Sequence, residues 1–439
     1  MLVLVHVHVN VNVNVNERPP APQDTRRVLR NLSAAVTLDP SRVTAADPLG
    51  TVPRAAIVFD GGAISWLGAE SDLPGEYAAA EQIDGRGHLA LPGLVECHTH
   101  LVFAGERSAE FHLRNTGRGY AEILEAGGGL LSTVAATRAA SEEELIAAAL
   151  PRLRRMLIHG ITTCEIKSGY GLDLENELKI LRVVRTLQDH TPIRLVPTFL
   201  GAHAFPPEYR ERREDYLRLV IEEMIPAASE AGLARFCDVF CEGVAFSVTE
   251  ARRVLEAGRA HGLIPKIHAE QLTRQGGCAL AAELGAVSAD HCDHVDDTDI
   301  AAMAGAGVTA VLLPGATFFV GDTQYAPARK LLDGGVRVAL STDCNPGSTM
   351  TENLTLMTTF GGCVLKMSAA ELIAAITVNA AAALALQDEV GSLAPGLAGD
   401  VALLDIPDAG YLPYHYGVNH LAAVVKAGAV VHQREGGAG

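Results

Sequence analysis

Two histidines, His98 and His100 in Glu96-Cys97-His98-Thr99-His100, close an apolar run and flank a single threonine. On extended backbone, residues two apart project to the same side, so both imidazoles face one space. Polar side chains recur at the ends of all the later apolar runs but the seventh. Lys167 and Tyr170 close the second run, His203 follows the third and Glu242 ends the fourth. His268 ends the fifth, His291 the sixth, and Asp343 follows the eighth. Two imidazoles on one side, a third from the fifth run and an aspartate after the eighth make a divalent-metal site with room for water. Nitrogen and oxygen donors of this kind suit zinc or iron(II). A metal so held lowers the pKa of its water toward ~7, which makes hydroxide available for hydrolysis of an amide-like carbon.

The elements that must carry these residues follow from the hydrophobic pattern. Apolar strand-like runs lie at 89–97, 161–167, 194–200, 236–242, 264–268, 287–291, 308–313 and 336–342. Amphipathic stretches separate them, among them Ser141 to His159, opened by a Ser-Glu-Glu-Glu cap, and Thr249 to His261. Eight strands alternating with helices predict an α/β fold, a (β/α)8 barrel of the TIM type. Every reactive residue above then falls at a strand's C-terminal end, the face on which such barrels carry their chemistry. Before the barrel, Ala56 to Gly68 reads as a hairpin turning at Asp60-Gly61-Gly62. After it come a helical stretch from Ser368 to Leu386, a turn over 390–396 and a strand over 400–405. Strands from both chain ends are expected to join into one small β-sandwich domain. The predicted division is 26–88 with 388–439 for that domain, 89–387 for the barrel, and a low-complexity, disordered extension over 1–25.

Composition narrows the class of protein. Of 439 residues, 48% are hydrophobic and 20% charged, a globular balance. Asp and Glu number 52 against 35 Lys and Arg, a net charge of -17 that repels nucleic acid and anionic lipid. No apolar run reaches the ~18 residues of a spanning helix. The Val/His/Asn alternation from Met1 to Asn16 lacks the basic start and cleavage site of a secretory signal, and His6 and His8 have nothing around them to hold a metal. The eight cysteines are scattered without a disulfide framework, which fits reduced thiols in a cytoplasm. Cys237 and Cys241, four apart in an apolar run, read as core.

The stretch Pro92-Gly93-Leu94-Val95-Glu96-Cys97-His98-Thr99-His100 and the late Ser341-Thr342-Asp343 resemble the amidohydrolase superfamily of metal-dependent barrels. Narrower stretches resemble its members that open the imidazolone ring during histidine degradation. These are 101–107 (LVFAGER), 165–172 (EIKSGYGL), 199–203 (FLGAH) and 343–348 (DCNPGS). The resemblance covers roughly residues 30 to 432. It implies the substrate 4-imidazolone-5-propanoate, the product N-formimidoyl-L-glutamate, and a homodimer. Position by position, it implies His98, His100, His268 and Asp343 as metal ligands. It also implies Arg107, Tyr170, His203, Asn345, Gly347 and Ser348 as substrate contacts, and His291 beside the reacting carbonyl.

One position departs from the pattern. Three residues after His268 some relatives carry glutamate, whereas here Gln271 follows Glu270. A glutamine cannot shuttle a proton, so that task falls to Asp343, or to Glu270 if it turns inward. Arg107 offers a planar fork for the propanoate carboxylate. Binuclear relatives bridge two metals with a lysine at the end of strand four. Here that strand ends Cys241-Glu242-Gly243, so one metal per chain is expected, zinc or iron (Fe2+ or Fe3+). Two other readings stand beside this one: a deaminase on the same scaffold, and a catalytically dead barrel serving as a binding protein.

Overall fold

Apolar runs that are buried on both faces pair in parallel when helices cover the sheet, and the chain follows that rule. A computed structural model describes residues 26–117 and 128–434; the amino extension over 1–25 lies outside the described residues. Eight strands form one parallel sheet in chain order. They are Leu94–Glu96, Ile161–Lys167, Arg194–Ala202, Phe236–Cys241, Ile264–Ala269, Ser288–His291, Thr309–Leu312 and Val338–Leu340. First and last meet just beyond their ends, where Thr99 bridges Cys344 and the His100 N–H donates to the Cys344 carbonyl at 3.0 Å. The predicted barrel is the observed fold.

Helices pack around the sheet, and their starts were written in the sequence. Ser141 and Ser247 each accept from a backbone N–H three residues on, while Glu144 and Glu250 return the bond. These capping boxes open helices Glu142–Leu157 and Val248–Ala260. The stretch predicted as one helix over 368–386 divides into Ala369–Ala375 and Val378–Ala382. Thr377 leaves helical dihedrals at the break, and its hydroxyl donates to the Ile373 carbonyl. Among the described residues no helix is long and apolar enough to cross a membrane.

The run predicted as one strand over 89–97 belongs to two sheets. Leu89–Pro92 pairs with Val401–Leu404 and Ala34–Val36, and only Leu94–Glu96 enters the barrel. Gly93 makes the transfer: its N–H donates to the Asp400 carbonyl at 2.9 Å, and a Cβ there would run into the Thr162 side chain. The six-stranded sheet thus mixes both chain ends. It faces a four-stranded sheet built from residues 27–84 across a core that includes Leu29, Ile57, Phe59, Val401, Leu403 and Val425. That is the expected sandwich.

Candidate metal and substrate site

At the mouth of the barrel the four expected ligands converge. His98 Nε2 and His100 Nε2 stand 3.6 and 3.7 Å from Asp343 Oδ1. His268 Nε2 is 3.4 Å from His100 Nε2. Two donors each ~2.1 Å from a shared tetrahedral ion lie about 3.4 Å apart, so the spacing is that of a ligand set. His98 Nε2 is buried without a hydrogen-bond partner, which an apolar interior does not tolerate unless something else engages it. Burial pushes His98, His100 and His291 well below the usual imidazole range, so their lone pairs are free at neutral pH. The residues present fit a metal ion.

Carboxylates hold the far side of two of these rings. Asp290 Oδ2 accepts from His98 Nδ1 at 2.6 Å. Asp238 Oδ2 lies 3.1 Å from His268 Nδ1, off the line of its ring N–H. Such partners fix which nitrogen is free to ligate. Neither aspartate was singled out in the sequence. The available signal was a carboxylate inside an otherwise apolar strand, which a barrel can only point inward.

Above the ligands opens a cavity of about 530 Å³. Every expected site residue lines it except His98, which lies beneath, and Glu270. The backbone turns left-handed at His291 and Asp343, with φ of 77° and 55°. Conformations of this kind cost ~1–3 kcal/mol each and persist where the surroundings enforce them. Burial raises the Asp343 carboxyl to about 7, and its Oδ2 accepts from the Ser348 hydroxyl at 3.1 Å. His203 donates from Nδ1 to the Gly169 carbonyl at 2.9 Å, and burial lowers its pKa to about 4. It is therefore neutral, with Nε2 left as an acceptor. Burial keeps the Tyr170 hydroxyl protonated and able to donate. Asn345 organises the loop instead of reaching outward: its Oδ1 accepts from the N–H groups of Gly347 and Ser348, both at 2.8 Å.

Two expectations need correction. Glu270 does not turn inward. Its carboxylate accepts from the N–H groups of Gln275, Gly276 and Cys278 at 2.6, 3.0 and 3.1 Å, at the start of helix Gly277–Leu284. Four unsatisfied N–H groups at a helix start attract a carboxylate more strongly than a neutral cavity does. Arg107 does not present its whole fork to the cavity either. Its Nε and Nη2 already grip Glu110 at 2.8 and 2.6 Å, and Glu110 also accepts from the Gly129 N–H. Gly347 lies against the same guanidinium, where a Cβ would run into Nη1. The cavity side is left with the remaining N–H groups of Nη1 and Nη2. An Arg-x-x-Glu spacing at a helix start was the signal for this pair. Arg114 also lines the cavity, donating to the Gly347 carbonyl at 3.2 Å.

A barrel whose strand ends gather histidines and an aspartate defines a class. The family model described as "Amidohydrolase family" matches residues 113–432, and the chain belongs to that family. Within it the chain belongs with the imidazolonepropionases. It is 52% identical over 414 residues to imidazolonepropionase of Myxococcus xanthus, covering 93% of this chain and 98% of that protein. It is 48% identical to those of Cupriavidus necator and Geobacillus kaustophilus, covering 89% and 87% of this chain and 94% and 91% of theirs. Solved structures share the fold at lower identity. A triazine hydrolase variant matches with a TM-score of 0.73 at 19% identity, covering 93% of this chain and 95% of its own. A Xanthomonas campestris adenosine deaminase with bound zinc matches at 0.70 and 17%, covering 94% and 93%.

Proposed function

We propose that this chain hydrolyses the cyclic amide of 4-imidazolone-5-propanoate to N-formimidoyl-L-glutamate, using one zinc or iron ion held by His98, His100, His268 and Asp343. The observation that carries this reading is a buried three-histidine, one-aspartate cluster at the foot of a cavity that an arginine enters from the rim. When bound, such a metal supplies hydroxide at neutral pH and polarises the ring carbonyl.

The chain's own groups account for the remainder. Arg107, braced by Glu110, takes the propanoate carboxylate with the N–H groups that Glu110 leaves free. His203 accepts from a ring N–H through Nε2, and Tyr170 donates to the substrate. The hydroxyl of the attacking water adds to the carbonyl carbon while the ring C–N bond breaks. Asp343 receives the water's proton and passes it to the departing ring nitrogen, a task its position beside the histidine nitrogens allows. His291 donates a hydrogen bond to the carbonyl oxygen as its charge develops.

A single metal agrees with the surroundings. Glu242, at the end of strand four, is taken up by the N–H groups of Leu272 and Thr273 at 2.9 and 3.1 Å. The other acidic grouping nearby, His98 with Glu165 and Asp290, has the Lys167 ammonium within 3.3 Å of both carboxylates. A deaminase would want a glutamate beside the water in the strand-five motif. Gln271 faces the cavity instead, and Glu270 caps a helix. Turnover of freshly prepared imidazolone propanoate, followed by loss of its ultraviolet band with product identification, tests the proposal. N-formimidoyl-L-glutamate without ammonia is expected; ammonia release from an aminated ring, with the imidazolone untouched, would overturn it.

A further inference from the structure

Beneath the ligands the barrel interior holds a lysine that the reaction above does not use. Lys167 is fully buried on strand two. Its Nζ is 3.0 Å from Glu165 Oε2, 2.8 Å from Asp238 Oδ2 and 3.3 Å from Asp290 Oδ2. The two aspartate oxygens are the same atoms that face histidine ligands: Asp290 Oδ2 takes His98 Nδ1 at 2.6 Å, and Asp238 Oδ2 lies 3.1 Å from His268 Nδ1. One ammonium on strand two therefore joins carboxylates from strands four and six, and through them imidazoles from strands one and five.

We propose that Lys167 is a positioning residue that orients two metal-ligand histidines at once, through Asp238 and Asp290. The inference rests on the assignment of His98 and His268 as ligands. Two buried carboxylates facing each other repel, and each would swing from its imidazole toward any other donor. A shared cation removes that repulsion and leaves each Oδ2 pointing at an Nδ1. At His98, where Nδ1 is bonded to Asp290, Nε2 is the only nitrogen left to face the metal; at His268 the Asp238 carboxylate lies beside Nδ1 at 3.1 Å and favours the same orientation. The neighbouring Lys266 provides an internal comparison. It is equally buried and contacts Glu165 at 3.3 Å and the Ala383 carbonyl at 3.1 Å; it touches neither Asp238 nor Asp290, although its charge acts on Asp290 from beyond ion-pair distance.

The test compares zinc-loaded wild type, Lys167→Met and Lys266→Met, measuring the rate at which a chelator strips zinc and, separately, the urea midpoint of the metal-free protein. Outer-shell partners of ligating histidines change metal affinity roughly ten- to a hundredfold. Lys167→Met should lose zinc faster by that factor, whereas Lys266→Met should lower the urea midpoint yet stay within about threefold of wild type in zinc loss. Equal zinc loss in both variants, or a wild-type rate in Lys167→Met, would overturn the proposal by reducing Lys167 to a generic buried charge. If Lys167→Met does not fold, imidazole 15N spectra of zinc-loaded wild type decide. Protons on Nδ1 of both His98 and His268 are expected, and a ring bound through Nδ1 would sink the clamp. His98→Ala and His268→Ala separate a failed ligand assignment from a failed clamp: zinc retained at wild-type affinity in both would remove the premise and overturn the proposal with it.

Discussion

At the scale of single residues, Asp343 and Arg107 carry the two ends of the proposed reaction. Among the described residues Asp343 is the only cavity carboxylate close to the histidine nitrogens, and its backbone is left-handed there. Asp343→Asn keeps the shape but cannot accept a proton at pH 7. Turnover should fall by roughly a hundredfold to ten-thousandfold, with weakened metal binding adding to the loss. A variant that keeps its metal and works within about threefold of wild type would move the proton elsewhere. Arg107→Ala removes one side of a partly desolvated charge pair, a loss of ~2–5 kcal/mol. That is roughly thirtyfold to several-thousandfold in kcat/KM. On an imidazolone lacking the carboxylate tail, wild type and variant should perform alike. An equal drop on both substrates would place Arg107 at the ring or in loop support.

At the scale of elements, the correction at Glu270 yields its own prediction. Its carboxylate satisfies N–H groups at the start of helix Gly277–Leu284, so Glu270→Gln should destabilise the fold by ~1–3 kcal/mol. Turnover per folded molecule should stay near wild type, measured by kcat beside the urea midpoint. A hundredfold fall in kcat with unchanged stability would restore Glu270 to the reaction. The strands were legible because each is a short apolar run bounded by turn residues, and all but the seventh lead into a polar side chain. The division at Gly93 was not, since Leu89–Pro92 and Leu94–Glu96 are equally apolar and only tertiary pairing separates them. The convergence of His98, His100, His268 and Asp343 was legible from strand-end placement. The direction of Glu270 was not, because a left-handed residue (φ 55°) reverses the alternation that a strand reading assumes. Asp238 and Asp290 were hidden for a related reason: a charged residue inside an apolar run acquires meaning only once the opposite strands are known.

At the scale of the whole molecule, the barrel closes around a charged interior that most cores exclude. Glu165, Lys167, Asp238, Lys266 and Asp290 are all fully buried below the cavity. Burying charges is unfavourable unless each finds a partner, and here the partners form one connected network under the histidines. The β-sandwich is fastened to this barrel by Lys426, which donates to Asp400 at 2.6 Å and to the Thr162 carbonyl at 3.0 Å. The chain's architecture thus brings the proposed metal ligands, the charged groups beneath them and the cavity together along one barrel axis. The most direct measurement of the central claim is a metal titration of chelator-stripped protein, following N-formimidoyl-L-glutamate formation as zinc or iron(II) is added. Activity should rise linearly and level off at one metal per chain. Full activity before any metal is added, or a plateau reached only at two metals per chain, would contradict it.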